Sequence, residues 1–250
     1  MRDPLPEDVT IVGPPEESDT DAGGSSKGLD REIIVQAALE FVDRGGAQGL
    51  TMRALAHQLG VGPMALYRYV NGREDLLDAV VTQLLEGVRQ DLEEELSGTW
   101  QGYLRTLAHA VRRIAVDHAA AFPLVATRHP AAPWLRPPLR SLDLVENFLD
   151  TLGRRGFTDQ QTVDAYRAFS SFLLGQLLLE ATTRGAETSP IEVPFDEGSA
   201  QVPNRDGQLD LSQRPATSRL RPLLSEDHSE AEFEITLDTL LNRLETSLSQ

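Results

Sequence analysis

The chain has 250 residues, of which 40% are hydrophobic, so it can enclose a buried core as one large domain or two small ones. It contains no cysteine, which excludes disulfides and thiolate zinc sites. Its formal net charge of -16 at pH 7 opposes diffuse binding to nucleic acid, so any nucleic-acid site has to be local.

Residues 1–28 are acidic and rich in proline, glycine and serine, with few large apolar side chains. Such a segment cannot offset the entropy lost on ordering, so we predict a disordered extension. The same composition excludes a secretory signal. No apolar run reaches the roughly 18 to 20 residues that span a bilayer. The sequence therefore predicts a cytoplasmic protein with no membrane partner.

Helical periodicity begins at Asp30, a suitable N-cap, and continues to the glycine pair at 45–46. Thr51 is the predicted cap of a second, short helix that ends at Gly60. A third helix is predicted from Pro63, a residue favoured in the first helical turn, to about residue 69. A fourth, longer helix follows the Asn-Gly pair at 71–72.

The remainder of the chain also has the period of amphipathic helices, separated by proline-rich or polar segments. The predicted helices are Trp100–His118, Ser141–Gly153, Thr158 to about Thr183, and Glu230–Leu248. The segment "RHPAAPWLRPP" breaks the pattern because proline lacks the amide proton that a helix interior needs. Residues 185–226 are polar and are predicted to form a long flexible loop. The fold class predicted is all-α.

Two short helices joined by a tight turn, after a longer helix, form the pattern of a helix-turn-helix unit. Gly60 lies in the turn, where a positive φ costs a glycine little. Residues 50–73 contain three arginines and no acidic residue, although the whole chain is strongly acidic. A phosphate backbone repels carboxylates, so this stretch favours a DNA-docking face. The residues alone leave open an ordinary core hairpin.

The stretch "ALEFVDRGGAQGLTMRALAHQLGVGPMALYRYVNGREDLLDAVV" is similar to the DNA-binding domain of the tetracycline-repressor (TetR) family. The resemblance covers about residues 29–85. A second one, carried by "TWQGYLRTLAHAVRRIAVDH", "TRHP" and "FEITLDTLLNRLE", points to the ligand-binding domain of the tetracycline-repressor subgroup. The family implies a helix-turn-helix domain at 29–75 and an effector-binding and dimerisation domain at 76–250.

The resemblance implies contacts to operator DNA from nine positions. They are Thr51, Arg53, Pro63, Met64, Ala65, Tyr67, Arg68, Tyr69 and Arg73. Tyr67 and Arg73 match phosphate-contacting positions in the family. Arg68 stands where the subgroup has an aromatic residue, and an arginine can pair with guanine through two hydrogen bonds. Residues 63–65 are weakly polar, so base reading there depends on contacts with thymine methyl groups.

The resemblance also implies an effector cavity, for which the sequence offers mostly apolar candidates. They are Trp100, Tyr103, Leu107, Val111, Phe122, Val125, Trp134, Phe148, Phe169 and Phe172. Each of them is also a normal core residue at helical spacing. The subgroup holds a magnesium–drug complex with a histidine, where this chain has Val125 or a close neighbour. Leu107 and Val111 replace polar drug-binding positions, so we expect a small hydrophobic effector.

The five histidines lack the spacing of metal ligands, and we predict no metal, no cofactor and no catalytic residue. The apolar segment "FSSFLLGQLLLEA" and the leucine stripe from Leu237 to Leu248 predict a homodimer. Together these features predict a ligand-responsive repressor that leaves a palindromic operator when its effector binds. Two alternatives stay open: a helical protein-interaction adaptor with a non-binding helix-turn-helix remnant, and a small helical enzyme.

Overall fold

The computed structural model describes residues 29–94, 98–127, 129–186, 214–224 and 226–248, and within these ranges the regular secondary structure is helical throughout. The α-helices are α1 (Arg31–Gly45), α2 (Met52–Gln58), α3 (Pro63–Leu66), α4 (Arg73–Glu93), α5 (Trp100–Asp117), α6 (Leu142–Arg154), α7 (Asp159–Thr183), α8 (Pro215–Leu224) and α9 (Ser229–Leu248). A short 3-10 helix, Phe122–Leu124, follows α5. The all-α prediction is confirmed.

The helices begin where their capping side chains predicted. Asp30 Oδ1 accepts the amide of Ile33 at 2.7 Å. Thr51 Oγ1 accepts the amide of Ala54 at 3.0 Å. Such bonds satisfy amides that have no partner within the first helical turn. At α7 the cap is reciprocal, because the side chain of Thr158 accepts from the backbone of residue 161 and the Gln161 side chain accepts from the backbone of Thr158.

The helix-turn-helix unit consists of α1, α2, α3 and the start of α4, and its buried side chains belong to a core that continues into the larger part. Ile34, Leu55, Leu66 and Leu76 are fully buried in it. The turn after α2 is closed by Gly60, whose φ of +67° lies in the left-handed region. The amide of the next residue donates to the carbonyl five residues back, as in a Schellman motif. The predicted turn is confirmed.

Helix α3 is shorter than the sequence predicted, because it ends at Leu66 and not near Tyr69. In the turn that follows, the amides of Arg68 and Tyr69 donate to carbonyls three residues back, at 3.4 and 2.9 Å. Bonds of this spacing tighten the chain into a 3-10 turn, which is frequent at helix ends. Residues 67–69 therefore continue the direction of α3 without its regular geometry.

The larger helical part is built on α5 and α7, which pack against each other. Helix α4 packs on α5, α6 packs on α7, and α9 packs on both α7 and α5. The fully buried side chains of this core include Leu104, Phe122, Leu152, Leu177 and Phe233. Helix α4 also packs against α1, so this single helix belongs to both parts of the molecule.

One ion pair is buried in the larger part, where α5, α7 and α9 meet. Arg112 donates to both carboxylate oxygens of Glu180, at 2.9 and 3.1 Å, and the Glu180 side chain is only 2% exposed. The Arg112 guanidinium also lies 5.3 Å from the centre of the Phe233 ring. Arg184 reaches the same carboxylate from the end of α7. The buried charge of Glu180 is thus compensated on two sides.

Two predictions about irregular segments have different outcomes. The extension at 1–28 lies outside the described residues, as does most of the segment predicted as a loop, at 187–213. The loop prediction is wrong for Pro215–Leu224, which form α8. A proline inside α8 and the lack of any buried side chain in it hid the helical pattern. Across the described ranges, no helix is long and apolar enough to cross a membrane.

Candidate functional site

A surface of exposed side chains covers α2, α3 and the turn after it. We call it the reading surface, and it consists of Arg53, Pro63, Met64, Tyr67, Arg68 and Tyr69. Met64 is 76% exposed and Tyr67 48%, which is high for large apolar and aromatic side chains. Leu66 and Val70 are buried on either side of the 67–69 turn. The segment is therefore anchored at both ends and displays three side chains between the anchors.

The other three predicted DNA-binding positions have structural contacts of their own. The Thr51 hydroxyl caps α2, and Ala65 is half-buried. Arg73 Nε lies 2.9 Å from the carbonyl oxygen of Leu50, and its Nη2 lies 2.9 Å from that of Ala47. The Arg73 guanidinium thus joins the start of α4 to the segment between α1 and α2, a role that its position in the sequence did not indicate.

The carboxylates next to the reading surface in the sequence, Glu74 and Asp75, have bonding partners of their own. Asp75 accepts the backbone amide of Asn71 at 2.8 Å and pairs with Arg31. Glu74 is hydrogen-bonded by Arg140, and this bond lowers the pKa of the Glu74 carboxyl below its ordinary value. The only charged side chains on the reading surface are the two arginines. A surface of this kind can approach phosphates without repulsion.

An apolar cavity lies inside the larger part, between α5, α6, α7 and the segment that joins α5 to α6. We call it the inner cavity. Its lining residues are Leu107, Val111, Val125, Leu139, Leu144, Phe148, Tyr166, Phe169, Ser170, Leu173 and Leu174. Its volume is about 30 Å³, enough for one or two water molecules. Five of the ten predicted cavity residues lie here: Leu107, Val111, Val125, Phe148 and Phe169.

Aromatic rings form one wall of the inner cavity. The Phe148 ring lies 5.7 Å from the rings of Tyr166 and Phe169, centre to centre. The Tyr166 hydroxyl donates to the carbonyl oxygen of Pro137 at 3.0 Å. Burial raises the pKa of this phenol to about 12, so Tyr166 is a neutral hydrogen-bonding group at physiological pH. Tyr166 and Ser170 are the polar side chains in the lining.

A second, wider space of about 390 Å³ lies between α4, α5 and α6, and we call it the outer cavity. Leu144 lines both cavities. Tyr103 lines the outer one and donates to Asn147 Oδ1 at 2.8 Å. Its pKa is raised, mainly by burial. Polar and charged groups from α4 and α6, including Arg89 and Asp143, share this lining with leucine and valine side chains.

Four predicted cavity residues lie elsewhere. Trp134 is 73% exposed. Trp100 packs edge-on against Phe157, with the ring centres 5.5 Å apart. Phe172 stacks on Phe233 at 5.8 Å, and Phe122 is fully buried outside the lining of either cavity. Large aromatic side chains occur on several faces of these helices. A residue lines a cavity only if it lies on the face that its helix turns towards that cavity.

The sequence analysis did not include several lining residues that share a helical face with predicted residues of the inner cavity. From Phe169, spacings of three and four residues lead to Tyr166 and Leu173 of the inner cavity, and from Tyr166 two spacings of four lead to Ser170 and Leu174. This signal was present in the sequence. The residues before α6, such as Leu139, gave no comparable signal because they follow no regular period. Across the described ranges, no three histidine, aspartate or glutamate side chains are grouped as metal ligands.

A three-helix unit with an exposed third helix places that helix in the major groove of DNA. The fold and the reading surface therefore define a helix-turn-helix DNA-binding regulator. Comparison with known proteins identifies the family. The family described as "Bacterial regulatory proteins, tetR family" matches residues 34–80, and the "Tetracyclin repressor-like, C-terminal domain" matches residues 93–248. The chain belongs to the TetR family, and both resemblances predicted from the sequence are confirmed.

The similar proteins are described as repressors or as a possible transcriptional regulator, and each aligns with most of this chain. The tetracycline repressor protein class D of Escherichia coli is 28% identical over 223 residues, which cover 88% of this chain and 91% of the relative. The HTH-type transcriptional repressor DrrR1 of Streptomyces coeruleorubidus is 28% identical over 228 residues, covering 89% and 78%. A crystal structure of a possible TetR family transcriptional regulator from Streptomyces coelicolor A3(2) has a TM-score of 0.65 at 27% identity, covering 87% and 100%.

Proposed function

We propose that the protein is a cytoplasmic, homodimeric transcriptional repressor that leaves a palindromic operator when a small hydrophobic molecule binds. DNA binding is assigned to residues 29–75, and effector binding and dimerisation to residues 76–250. The observation that carries this proposal is the double role of α4. Arg73, the first residue of α4, donates hydrogen bonds to carbonyl oxygens of the segment between α1 and α2. Several later residues of the same helix, between Thr82 and Glu93, line the outer cavity. A ligand that moves the cavity wall therefore acts on the helix that holds the reading surface.

Apolar side chains on α7 and α9 support the homodimer. These two helices pack against each other through buried residues such as Phe233 and Leu237. Their outer faces nevertheless expose Leu179 by 70% and Ile235 by 67%. These two exposed side chains lie on the helices that we assign to the dimer interface, where large contiguous apolar patches are expected. A two-fold dimer would present two reading surfaces to half-sites about one helical turn of DNA, roughly 34 Å, apart.

The two cavities together indicate the chemistry of the effector. Pockets for drug-sized molecules have volumes of about 300 to 1,000 Å³. The inner cavity is far too small, whereas the outer cavity reaches this range. We infer that an effector occupies the outer cavity and directs an apolar group past Leu144 into the inner one. Tyr103 and Asn147 would orient it by hydrogen bonds, which favours a mostly apolar compound with a few polar groups.

The test begins with the operator, isolated by sequencing the genomic DNA that the purified protein retains. A fluorescence-anisotropy titration then follows the release of labelled operator by a panel of hydrophobic compounds. Because DNA and effector affect each other's affinity by the same factor, a true effector binds the free protein more tightly than the complex. If no DNA is retained even at low salt, the repressor proposal is wrong.

A matched pair of variants locates the effector site. Val111→Phe adds a ring that fills the inner cavity, so it should weaken operator binding as an effector does and abolish any further release by an active compound. Val116→Phe makes the same change on the same helix at a half-buried position that lines neither cavity, and it should respond as the wild type does. An unchanged response of Val111→Phe would place the effector elsewhere.

A further inference from the structure

Arg140, just before α6, is a buried arginine that reaches across to α4. Its side chain is 5% exposed. Its Nε lies 2.7 Å from Asp78 Oδ1, and its Nη2 lies 2.8 Å from Glu74 Oε2 and 3.3 Å from the carbonyl oxygen of Glu74. We call these three residues the Arg140 cluster. It ties the first two turns of α4 to the larger helical part.

The same arginine belongs to the wall of the inner cavity through its backbone. The amide of Arg140 donates to the carbonyl oxygen of Val125 at 3.1 Å, and its Nη1 lies 3.4 Å from Thr127 Oγ1. Val125 lines the inner cavity, and so does Leu139, the residue that precedes Arg140. A group that enters the cavity therefore contacts Val125 and Leu139, whose backbone segments hold Arg140 in place.

On its other side the cluster continues into the helix-turn-helix unit. Glu74 also pairs with Arg73, at 3.2 Å from Nη1. The remaining nitrogens of the Arg73 guanidinium donate to the carbonyl oxygens of Leu50 and Ala47. Charged hydrogen bonds thus run without interruption from the cavity wall to the segment that precedes α2.

Burial fixes the position of the Arg140 side chain, while its partners Glu74 and Asp78 are 58% and 38% exposed on α4. A buried cation that loses its carboxylate is strongly destabilised, so Arg140 keeps its partners unless its backbone moves. The two parts of the molecule also meet at a second point, where His118 Nδ1 lies 2.7 Å from Asp43 Oδ2 on α1. If the cluster opens while this second contact holds, the helix-turn-helix unit can turn about it.

We propose that Arg140 is the positioning residue that couples the cavity to the DNA-binding unit. An occupied inner cavity displaces the backbone at Val125 and Leu139, withdraws Arg140 from Glu74 and Asp78, and frees α4 to change the direction of the reading surface. This inference rests on the proposed effector response, but the fixation of α4 by Arg140 can be tested without effector or DNA.

The experiment measures the distance between the two parts within one chain. The chain has no cysteine, so spin labels attach only to cysteines introduced at two exposed positions, Glu40 on α1 and Glu146 on α6. Dilution with unlabelled protein removes distances between chains. Arg140→Gln should broaden the distance distribution measured by double electron–electron resonance. The control is Arg154→Gln, whose ion pair with Asp150 lies on the surface within α6, and it should leave the distribution unchanged.

A cavity-filling change replaces the unidentified effector in the second arm. In the protein that keeps Arg140, Val111→Phe should shift the distance between the two labels. In the Arg140→Gln protein, the same change should cause no further shift. Equal shifts in both backgrounds would overturn the inference, as would an unchanged distribution in Arg140→Gln. If Arg140→Gln lowers the thermal midpoint too far for measurement, Glu74→Gln removes one partner from a more exposed position and should give the same broadening.

Operator binding then separates this inference from the proposed function. If the protein retains operator, Arg140→Gln should weaken that binding by about 5- to 150-fold, the usual size of a coupling between sites. A protein that retains no DNA, but whose distance distribution depends on Arg140, refutes the repressor and supports the positioning role. If the protein is a repressor, but neither the distances between its labels nor its operator affinity changes in Arg140→Gln, only the positioning role is refuted.

Discussion

Arginine has opposite tasks in two regions of this molecule. On the reading surface, Arg53 and Arg68 are exposed in a segment without carboxylates. In the larger part and at its joint with α4, Arg112 and Arg140 are 17% and 5% exposed and each contacts carboxylates at 3.1 Å or less. The residue type is the same in both regions, so the neighbouring groups decide whether an arginine can bind another molecule or stabilises the fold.

The difference teaches how to recognise a binding cation in an acidic protein. The chain has a formal net charge of -16, so carboxylates are available to most of its arginines. An arginine without a nearby carboxylate keeps its charge and its hydrogen-bond donors for another molecule. Arg73 stands between the two groups, because it is partly exposed but bonds two backbone carbonyls. The following variants test where the boundary lies.

The largest effect is expected from Arg112→Met. This change leaves the Glu180 carboxylate buried, with Arg184 as its remaining partner. Breaking a buried pair costs about 3 to 5 kcal/mol in the free energy of unfolding, and we expect a value near the lower end. Urea unfolding at a fixed protein concentration measures it. The surface variant Arg154→Met should change the same quantity by less than about 0.5 kcal/mol.

A second substitution shows whether the buried pair acts as a unit. Arg112→Met combined with Glu180→Met removes both charges, and the double variant should regain much of the lost stability. A single variant as stable as the wild type would contradict the distinction between buried and exposed arginines.

Arg68→Ala is expected to affect binding and spare the fold. Arg68 is exposed, so the free energy of unfolding should change by less than about 0.5 kcal/mol. The preference for one base pair of the operator should weaken by about 1 to 3 kcal/mol. Binding to operators changed at single positions measures this preference, with Arg154→Ala as the control. An unchanged preference would remove Arg68 from base recognition.

The smallest effect, and the sharpest test of the boundary, is expected from Arg73→Ala. It removes two hydrogen bonds to carbonyls that water can partly replace, so the free energy of unfolding should fall by about 1 to 2 kcal/mol. Base preference should persist, since Arg73 contacts backbone within its own chain. If stability is unchanged and the salt dependence of log K falls by about one unit, Arg73 binds phosphate and belongs with the reading surface.

Most of the fold followed from local patterns in the sequence. Caps such as Asp30, Thr51 and Thr158 are short-range signals, and each one marks the start of a helix within one residue. Helix α8 was missed because its side chains are exposed, so no apolar period marks it. The end of α3 was placed too late because the 67–69 turn keeps hydrogen bonds close to those of a helix.

The candidate functional residues were harder to predict because they depend on contacts between distant segments. Arg140 and its partner Asp78 are 62 residues apart in the chain, and nothing in the period of either segment indicates that they meet. The inner cavity was found in part, since Leu107 and Val111 lie on the same face of one helix. Trp134 is exposed and lines neither cavity, and a residue in a proline-rich segment has no helical face from which the direction of its side chain can be predicted.

The anchoring of the 67–69 turn has a consequence for the evolution of the protein. Leu66 and Val70 are 0% and 2% exposed and hold the turn, while the side chains of Tyr67, Arg68 and Tyr69 between them are exposed. Exposed residues of this kind can be exchanged at a cost of about 0.5 kcal/mol or less. New combinations at these three positions can therefore accumulate without loss of the folded state. After gene duplication, one copy can acquire a different target sequence while the proposed effector response is inherited unchanged.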